Sequence, residues 1–176
     1  YIRPFMFATD DFIGVRPSSN YSFMIFTCPV NAYYNAPLKV KVEEHYVRAA
    51  EGGTGFAKCA GNYGGAMLPT KLVQDTGYNQ IVWMDSHEHK YFEETGTTNF
   101  FAVIGDKVIT PPVGVTVLDG ITRKSVITLL EDWGYTVEQR RIAINEVLDA
   151  HKAGTLKEIF GTGTAATIAK ISHLKY

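Results

Sequence analysis

Short apolar runs separated by polar turns dominate the sequence and predict many β-strands. Residues 22–28 form an apolar run closed by Pro29, which predicts a buried strand. Residues 38–42 alternate apolar and basic side chains, the period of a half-exposed strand. Further strands are predicted at 80–85, 91–94, 99–104, 108–110, 158–160 and 167–171.

Helical spacing is rarer. Residues 122–133 and 145–153 place apolar side chains three or four positions apart, and a glycine follows each run. A third helix is expected to begin after Gly65 and to carry Pro69 in its first turn. These patterns predict one mixed α/β domain over residues 1–176, with many strands and few helices.

The overall composition is that of an ordinary globular domain. The 176 residues are 45% hydrophobic, and 17 basic side chains nearly balance 18 acidic ones for a net charge of -1. This balance argues against nucleic-acid binding, and no apolar run is long enough to predict a membrane span. Cys28 and Cys59 form no CxxC pair, so we expect neither a disulfide framework nor a zinc site, and a reducing, cytoplasmic location.

The two ends of the sequence suggest a fragment. The chain opens on Tyr1-Ile2-Arg3-Pro4 without a methionine and stops at Tyr176 directly after a strand-like run. We therefore expect further segments of the protein on both sides.

A glycine-rich segment at 51–65 is the most unusual stretch. Six of its fifteen residues are glycine, and Lys58 stands among Phe56, Ala57, Cys59 and Ala60. Glycines let a backbone approach a ligand closely, and an amine in partly apolar surroundings is suited to form a Schiff base. The alternative is a surface loop with a solvated lysine.

Two acids, Glu93 and Glu94, end a predicted strand before a turn of small residues. Because neighbouring residues of a strand face opposite sides, we expect at most one of them to point inward. A buried carboxylate needs a partner, and a cationic ring nitrogen would provide one. The alternative is a solvent-exposed acidic pair.

Two segments could bind an anion. Residues 118–123 lead into a predicted helix, whose first backbone N–H groups form a natural phosphate site, although simple capping explains them equally well. Residues 161–166 match the dinucleotide pattern G-x-G-x-x-A, but a strand follows where that motif requires a helix, so we exclude nicotinamide binding. His87 and His89 lie in a polar turn without further metal ligands, so no metal site is predicted.

Taken together and in this order, these segments resemble the branched-chain aminotransferases, which belong to the fold-type IV pyridoxal-phosphate enzymes. The resemblance runs almost from end to end, and the 52–63 motif favours the branched-chain subgroup. It rests on Tyr-Ile-Arg-Pro at 1–4, Gly-Gly-Thr-Gly-x-x-Lys-x-x-Gly-Asn-Tyr at 52–63, Glu-x-Gly-Thr-x-Asn-x-Phe at 94–101, Gly-Ile-Thr-Arg at 120–123 and Phe-Gly-Thr-Gly-Thr-Ala at 160–165.

The resemblance implies the large domain of the D-amino-acid-aminotransferase-like fold, an α+β pseudo-barrel with flanking helices that binds pyridoxal 5'-phosphate. It implies that Lys58 holds the cofactor covalently and moves the catalytic proton. The other implied cofactor contacts are Tyr63 at the phenolic oxygen, Glu94 at the ring nitrogen, Leu118 on the ring, and Ile121, Thr122 and Thr164 at the phosphate. Tyr1, Arg3, Thr97, Thr164 and Ala165 are implied on the substrate side.

The implied reaction transfers the amino group of leucine, isoleucine or valine to 2-oxoglutarate, in a homodimer. A D-amino-acid aminotransferase, an aminodeoxychorismate lyase and an inactive fragment are the alternatives. The small N-terminal domain of the family and the elements expected after Tyr176 are absent from this sequence. A chain made at this length is therefore expected to bind the cofactor weakly and to turn over little substrate.

Overall fold

The computed structural model describes residues 1–31 and 33–176, which fall into two compact units, Tyr1–Tyr33 and Tyr34–Tyr176. The first unit is an antiparallel hairpin of β1 (Ile2–Ala8) and β2 (Tyr21–Thr27). The strand predicted at 22–28 is confirmed, but the prediction that it is buried is wrong, because β2 is almost entirely exposed. Two strands alone have too little surface to cover both of their faces.

The second unit is built on one eight-stranded sheet. Its strands are β3 (Leu38–Val42), β4 (Gln80–Met84), β5 (Phe92–Thr95), β6 (Thr98–Ile104), β7 (Lys107–Thr110), β8 (Thr136–Gln139), β9 (Leu156–Gly163) and β10 (Thr167–Lys175).

Six of these strands close into a ring. The sheet order is β5-β4-β3-β10-β9-β6-β7-β8, and β5 also pairs with β6, so that β7 and β8 extend outward from the closed ring. Three pairs, β10–β3, β3–β4 and β7–β8, are parallel, and the remaining pairs are antiparallel. The predicted strand-rich α+β fold with a pseudo-barrel is confirmed.

Alternating side chains of the ring strands form the main core. Val40 on β3, Val82 on β4 and Ala102 on β6 are fully buried within one apolar cluster. Phe92 and Phe100 stack there with ring centroids 4.6 Å apart. β3 buries every second residue while Lys39 stays exposed, as its alternating sequence predicts.

Three helices lie in the part of the chain that the structure describes: α1 (Ala60–Asp75), α2 (Ile121–Asp132) and α3 (Ile144–Lys152). α2 and α3 agree with their predictions to within a residue. The start predicted for α1 is wrong, since the helix already includes the glycines at 61, 64 and 65. Pro69 consequently lies well inside α1 rather than in its first turn. Among the described residues, no helix has the length and apolar character needed to cross a membrane.

The strands on either side of residues 161–166, the segment with the G-x-G-x-x-A pattern, are longer than predicted. β9 continues through Gly161 to Gly163, and only residues 164–166 form the turn into β10. Glycine at 161 lets β9 pair closely with β6 at this point, because a Cβ on Gly161 would lie only 2.2 Å from Oγ1 of Thr98 on that neighbouring strand. β1 and β8 were not predicted as strands.

Candidate active site

The glycine-rich loop before α1 is docked against the segment that precedes α2. A Cβ on Gly55 would lie 2.5 Å from the Cβ of Ala49 and 2.8 Å from the Cα of Thr116, so only glycine fits there. The backbone N–H of Phe56 donates to the carbonyl of Val115 at 3.1 Å. This close approach of two backbones determines where the loop leads into α1.

Asn62 in the first turn of α1 fastens the same loop from the other side. Its Nδ2 donates to the carbonyls of Thr54 and Ala57, both at 2.8 Å, and its Oδ1 accepts from Thr54 Oγ1 at 2.7 Å. Lys58 lies between these contacts and the helix, so its backbone is held at a defined point.

Lys58 itself reaches toward the first turn of α1. Its Nζ lies 5.9 Å from the ring centroid of Tyr63. The partly apolar surroundings expected for this amine are incomplete, because Lys58 is exposed and Phe56 is 56% exposed.

Both acids at the end of β5 are buried, which corrects the expectation that at most one would point inward. Glu93 is 8% and Glu94 3% exposed, because loops and neighbouring strands cover both faces of β5. Glu94 pairs with Nε of Arg48 at 2.9 Å and accepts the backbone N–H of Leu118 at 2.8 Å. Glu93, on the opposite face, accepts from Thr116 Oγ1 at 2.6 Å.

Burial determines the electrostatics of this acidic pair. Loss of solvation raises the pKa of Glu94 to about 7, since it outweighs the opposing effects of Arg48, the Leu118 N–H and Lys58. Burial also raises the pKa of Glu93, against the hydrogen bond from Thr116. Glu94 is therefore poised to accept the positive charge of a ligand, which would stabilise its ionised form.

A pocket brings together five of the residues predicted for the site. Lys58, Tyr63, Glu94, Thr97 and Leu118 all line it, and it is partly open to solvent. Lys58 and the buried Glu94 therefore border the same space. The cofactor and substrate roles given to these five residues stay predictions.

Four other predicted residues lie outside the lining of this pocket. Ile121 and Thr122 form the first turn of α2, and Thr164 and Ala165 lie in the turn between β9 and β10. Both places border the pocket through their neighbours. The backbone N–H of Gly120 donates to the carbonyl of Leu118 at 2.9 Å, and a Cβ on Gly163 would lie 3.7 Å from the carbonyl of Thr97.

Tyr1 and Arg3, the remaining predicted substrate residues, belong to the first unit. The guanidinium of Arg3 lies over the ring of Tyr1, 4.9 Å from its centroid. Their roles stay predictions.

Several residues of the site were not predicted as functional. Arg48 could not be singled out from the sequence, because it lies outside all of the motifs described above. Asn62 stands inside the 52–63 motif and Asn99 inside the 94–101 motif that carry the resemblance, and these places in the motifs were the available signal. Asn99 donates from Nδ2 to the carbonyl of Leu118 at 2.8 Å.

The sequence pattern of the amino-transferase class IV family matches residues 1–174. The chain belongs to the class IV aminotransferase family. The resemblance that the motifs indicated is confirmed at this level. A curated relative, branched-chain-amino-acid aminotransferase 2 of Bacillus subtilis, is 47% identical over 177 residues, which are 99% of this chain and 49% of the relative.

Solved structures of this aminotransferase family share the fold. The branched-chain amino acid aminotransferase of Escherichia coli superposes with a TM-score of 0.85 at 28% identity, over 98% of this chain and 57% of that chain. An aminotransferase from Brucella abortus, solved bound to the cofactor PLP, gives a TM-score of 0.78 at 26% identity, over 98% of this chain and 60% of that chain. The chain spans about half the length of the curated relatives it matches.

Proposed function

We propose that this chain carries the cofactor site of a branched-chain-amino-acid aminotransferase that uses pyridoxal 5'-phosphate. One observation carries the proposal: Lys58 and the buried Glu94 line the same pocket. The names of the relatives support the substrate class, and the PLP-bound relative supports the cofactor. The D-amino-acid enzyme and the lyase are not favoured.

The residues of the pocket fit this cofactor by their chemistry. Pyridoxal phosphate supplies, when bound, an electrophilic aldehyde carbon and a ring that accepts electron density from the substrate. Lys58 offers the amine that such a carbon requires. Glu94 offers a buried anion to a protonated ring nitrogen, and that pairing would offset the part of its burial cost that Arg48 and the Leu118 N–H leave uncompensated. Tyr63 offers a phenol as hydrogen-bond donor or acceptor.

The phosphate group would be held by the first turn of α2 and the β9–β10 turn. Ile121 and Thr122 supply backbone N–H groups and a hydroxyl at a helix start, where anions are stabilised. Thr164 supplies a second hydroxyl. These two turns lie next to Leu118 and Thr97, which line the pocket.

Lys58 would act as the proton carrier of the reaction. An amine that is released from the cofactor can accept a proton from the α-carbon of the substrate and return it elsewhere. Glu94 would keep the ring nitrogen protonated throughout. Leu118 would cover one side of the ring and so exclude water from it.

The substrates, the assembly and the location belong to the same proposal. Leucine, isoleucine or valine would donate its amino group to 2-oxoglutarate, with Tyr1, Arg3, Thr97, Thr164 and Ala165 on the substrate side. The single domain expected over 1–176 would be the large domain of a homodimer. A cytoplasmic location agrees with the two free thiols, Cys28 and Cys59.

Reductive trapping tests the cofactor site. The purified protein is incubated with pyridoxal phosphate, reduced with borohydride, digested and analysed by mass spectrometry. The expected result is a pyridoxyl adduct on Lys58 that is lost in Lys58→Ala and kept in Lys71→Ala, an exposed lysine of α1. Adducts spread equally over surface lysines, or no visible absorbance band, would favour an inert fragment.

An amino-donor comparison tests the substrate class. With 2-oxoglutarate as acceptor, L-leucine, L-isoleucine and L-valine are expected to give glutamate, whereas D-alanine gives none. Activity with D-alanine but not with L-leucine would assign the chain to the D-amino-acid enzymes.

A further inference from the structure

Arg48 is a buried guanidinium beside the candidate site, in the loop between β3 and α1. Its side chain is only 10% exposed, and it lines the pocket together with Lys58 and Glu94. None of the roles assigned above uses it. Burying a charge costs free energy unless its donors are satisfied by hydrogen bonds. The contacts of Arg48 therefore indicate what the side chain does.

Each nitrogen of the guanidinium contacts a different segment of the chain. Nε pairs with Oε2 of Glu94 at 2.9 Å. Nη1 donates to the carbonyl of Thr116 at 2.7 Å, and Nη2 donates to the carbonyl of Gly55 at 3.2 Å. One planar group thereby joins the end of β5, the segment before α2 and the loop that carries Lys58.

Thr116 extends the same network to the second buried acid. Its carbonyl accepts from Arg48, its hydroxyl donates to Glu93, and its Cα is the atom against which Gly55 packs. Movement of Arg48 would therefore disturb the loop and both carboxylates together. A lysine could not replace it, because an ammonium lacks the fixed fork of donors.

We propose that Arg48 is a positioning residue that holds the carboxylate of Glu94 and the loop carrying Lys58 in one geometry. The inference rests on the proposed function, because it assigns Arg48 the task of fixing the spacing between the two groups that would grip opposite ends of the cofactor. Arg48 acts through Glu94 and Gly55 and needs no contact with substrate.

The guanidinium also favours the ionised form of Glu94. The charged groups around Glu94 are Arg48, Lys58 and Glu93, and the N–H of Leu118 donates to it. Arg48 has the largest effect among those that lower the pKa of Glu94. Without its charge, burial and Glu93 would raise that pKa further, and Glu94 would be a poorer partner for a cationic ring.

The test uses Arg48→Met and Arg48→Lys in the cofactor-free protein, with two readouts that do not depend on activity. Hydrogen exchange is measured at the amide of Phe56, which donates to Val115, and at amides of α3 as an internal reference. The titration of Glu94 is followed by carbon-13 NMR of its carboxyl group. Lys71→Met, which breaks the exposed pair with Asp75, is the matched control.

Arg48→Met is expected to raise exchange at Phe56 at least about tenfold, with α3 unchanged, and to raise the pKa of Glu94 by about one unit or more. Arg48→Lys is expected to loosen the loop equally while shifting the Glu94 titration less, because charge is retained without the fork. Wild-type exchange at Phe56 in both variants, or an unchanged titration in Arg48→Met, overturns the inference. If Arg48→Met does not fold, Arg48→Lys alone decides: wild-type loop exchange in it overturns the inference.

Trapping on Lys58 in the wild-type protein is scored separately. Failure of trapping would count against the proposed function, while altered loop exchange and Glu94 titration in the variants would still establish the linkage through Arg48. Normal trapping with unaltered exchange and titration would count against Arg48 alone.

Discussion

Glu94 and Asn99 are direct partners across β5 and β6, and both bind the backbone of Leu118. Oε1 of Glu94 accepts the Leu118 N–H at 2.8 Å, and Nδ2 of Asn99 donates to the Leu118 carbonyl at 2.8 Å. Side chains directly opposite each other lie on the same face of a sheet, so this pair holds one residue from both of its polar ends. Gly120, which begins the approach to α2, packs against Asn99 as well.

Asn99→Ala is expected to destabilise the protein by about 0.5–1.5 kcal/mol, because the partly buried Leu118 carbonyl loses one of its two donors and keeps only the Gly120 N–H. Pyridoxal phosphate is also expected to bind more weakly, since Leu118 and the start of α2 lose their support. Urea unfolding and cofactor titration measure the two effects.

Asn79→Ala is the matched control for the Asn99 prediction, because Asn79 also bonds a backbone group but is exposed. It is expected to leave cofactor affinity unchanged. Equal affinities in wild type and Asn99→Ala would contradict the role given to the Leu118 contacts.

Regular patterns were sufficient to predict much of the fold. β3 was predicted to the residue, because its alternation reflects one buried and one exposed face. α2 and α3 were predicted closely because apolar spacing and a following glycine mark both helices. α1 was placed too late because its first half is rich in glycine, which has low helix propensity, and the contacts of Asn62 that support its first turn join residues of a loop.

Residues of the site could be predicted only where they belong to a short sequence motif. Lys58, Tyr63 and Glu94 stand in such motifs, and the structure places them around one pocket. Arg48 could not be predicted, because its partners Gly55, Glu94 and Thr116 meet it only after the sheet has formed. Burial of both Glu93 and Glu94 depends in the same way on tertiary packing rather than on strand alternation.

Two glycines near Lys58 are expected to respond oppositely to alanine. Gly55→Ala should cost about 1–3 kcal/mol, because the new methyl group would overlap Ala49 and Thr116. Gly65→Ala should stabilise by about 0.5–1 kcal/mol, because a Cβ there meets no atom within 4 Å and alanine favours a helix. Thermal or urea unfolding of the two variants checks the signs. Destabilisation of similar size in both would contradict the docking of the loop on Thr116.

Glu94 is expected to make the cofactor-free protein less stable as pH rises. Its pKa is about 7 in the folded chain against 4.5 without burial, so the folded state binds the extra proton between these values. Stability from this group is fully present near pH 4.5 and is lost as pH rises toward 7, by up to about 3 kcal/mol. Unfolding by urea at several pH values is expected to show this slope in wild type.

Glu94→Gln should flatten the slope, since glutamine carries no titrating proton. Glu93→Gln is the comparison variant. Burial raises the pKa of Glu93 as well, so this substitution should remove a second, separate part of the pH dependence of stability. Saturating pyridoxal phosphate should also reduce the slope in wild type by favouring ionised Glu94. An unchanged slope in Glu94→Gln would show that the carboxylate is ionised throughout this range.

Asp85 should give the opposite dependence at acid pH. It follows β4, is buried, and accepts the backbone N–H groups of Glu88, Lys90 and Tyr91 at 2.8 to 2.9 Å, with Arg141 paired at 3.3 Å. Burial alone would raise the pKa of Asp85, but these hydrogen bonds and Arg141 outweigh it and lower the pKa below 3.8. The stability from this group is therefore present above pH 3.8 and is lost as pH falls through the lowered value.

Asp85→Asn is accordingly expected to destabilise the protein by about 1.5–3 kcal/mol at pH 7, because hydrogen bonds to a charged acceptor are replaced by weaker ones. The difference from wild type should shrink below pH 3.8, where wild-type Asp85 itself becomes protonated. Asp75→Asn, at an exposed ion pair on α1, should change stability little at any pH. If the loss of stability in Asp85→Asn stayed constant from pH 7 to pH 3, the turn would be held by hydrogen-bond geometry and packing rather than by the charge of Asp85.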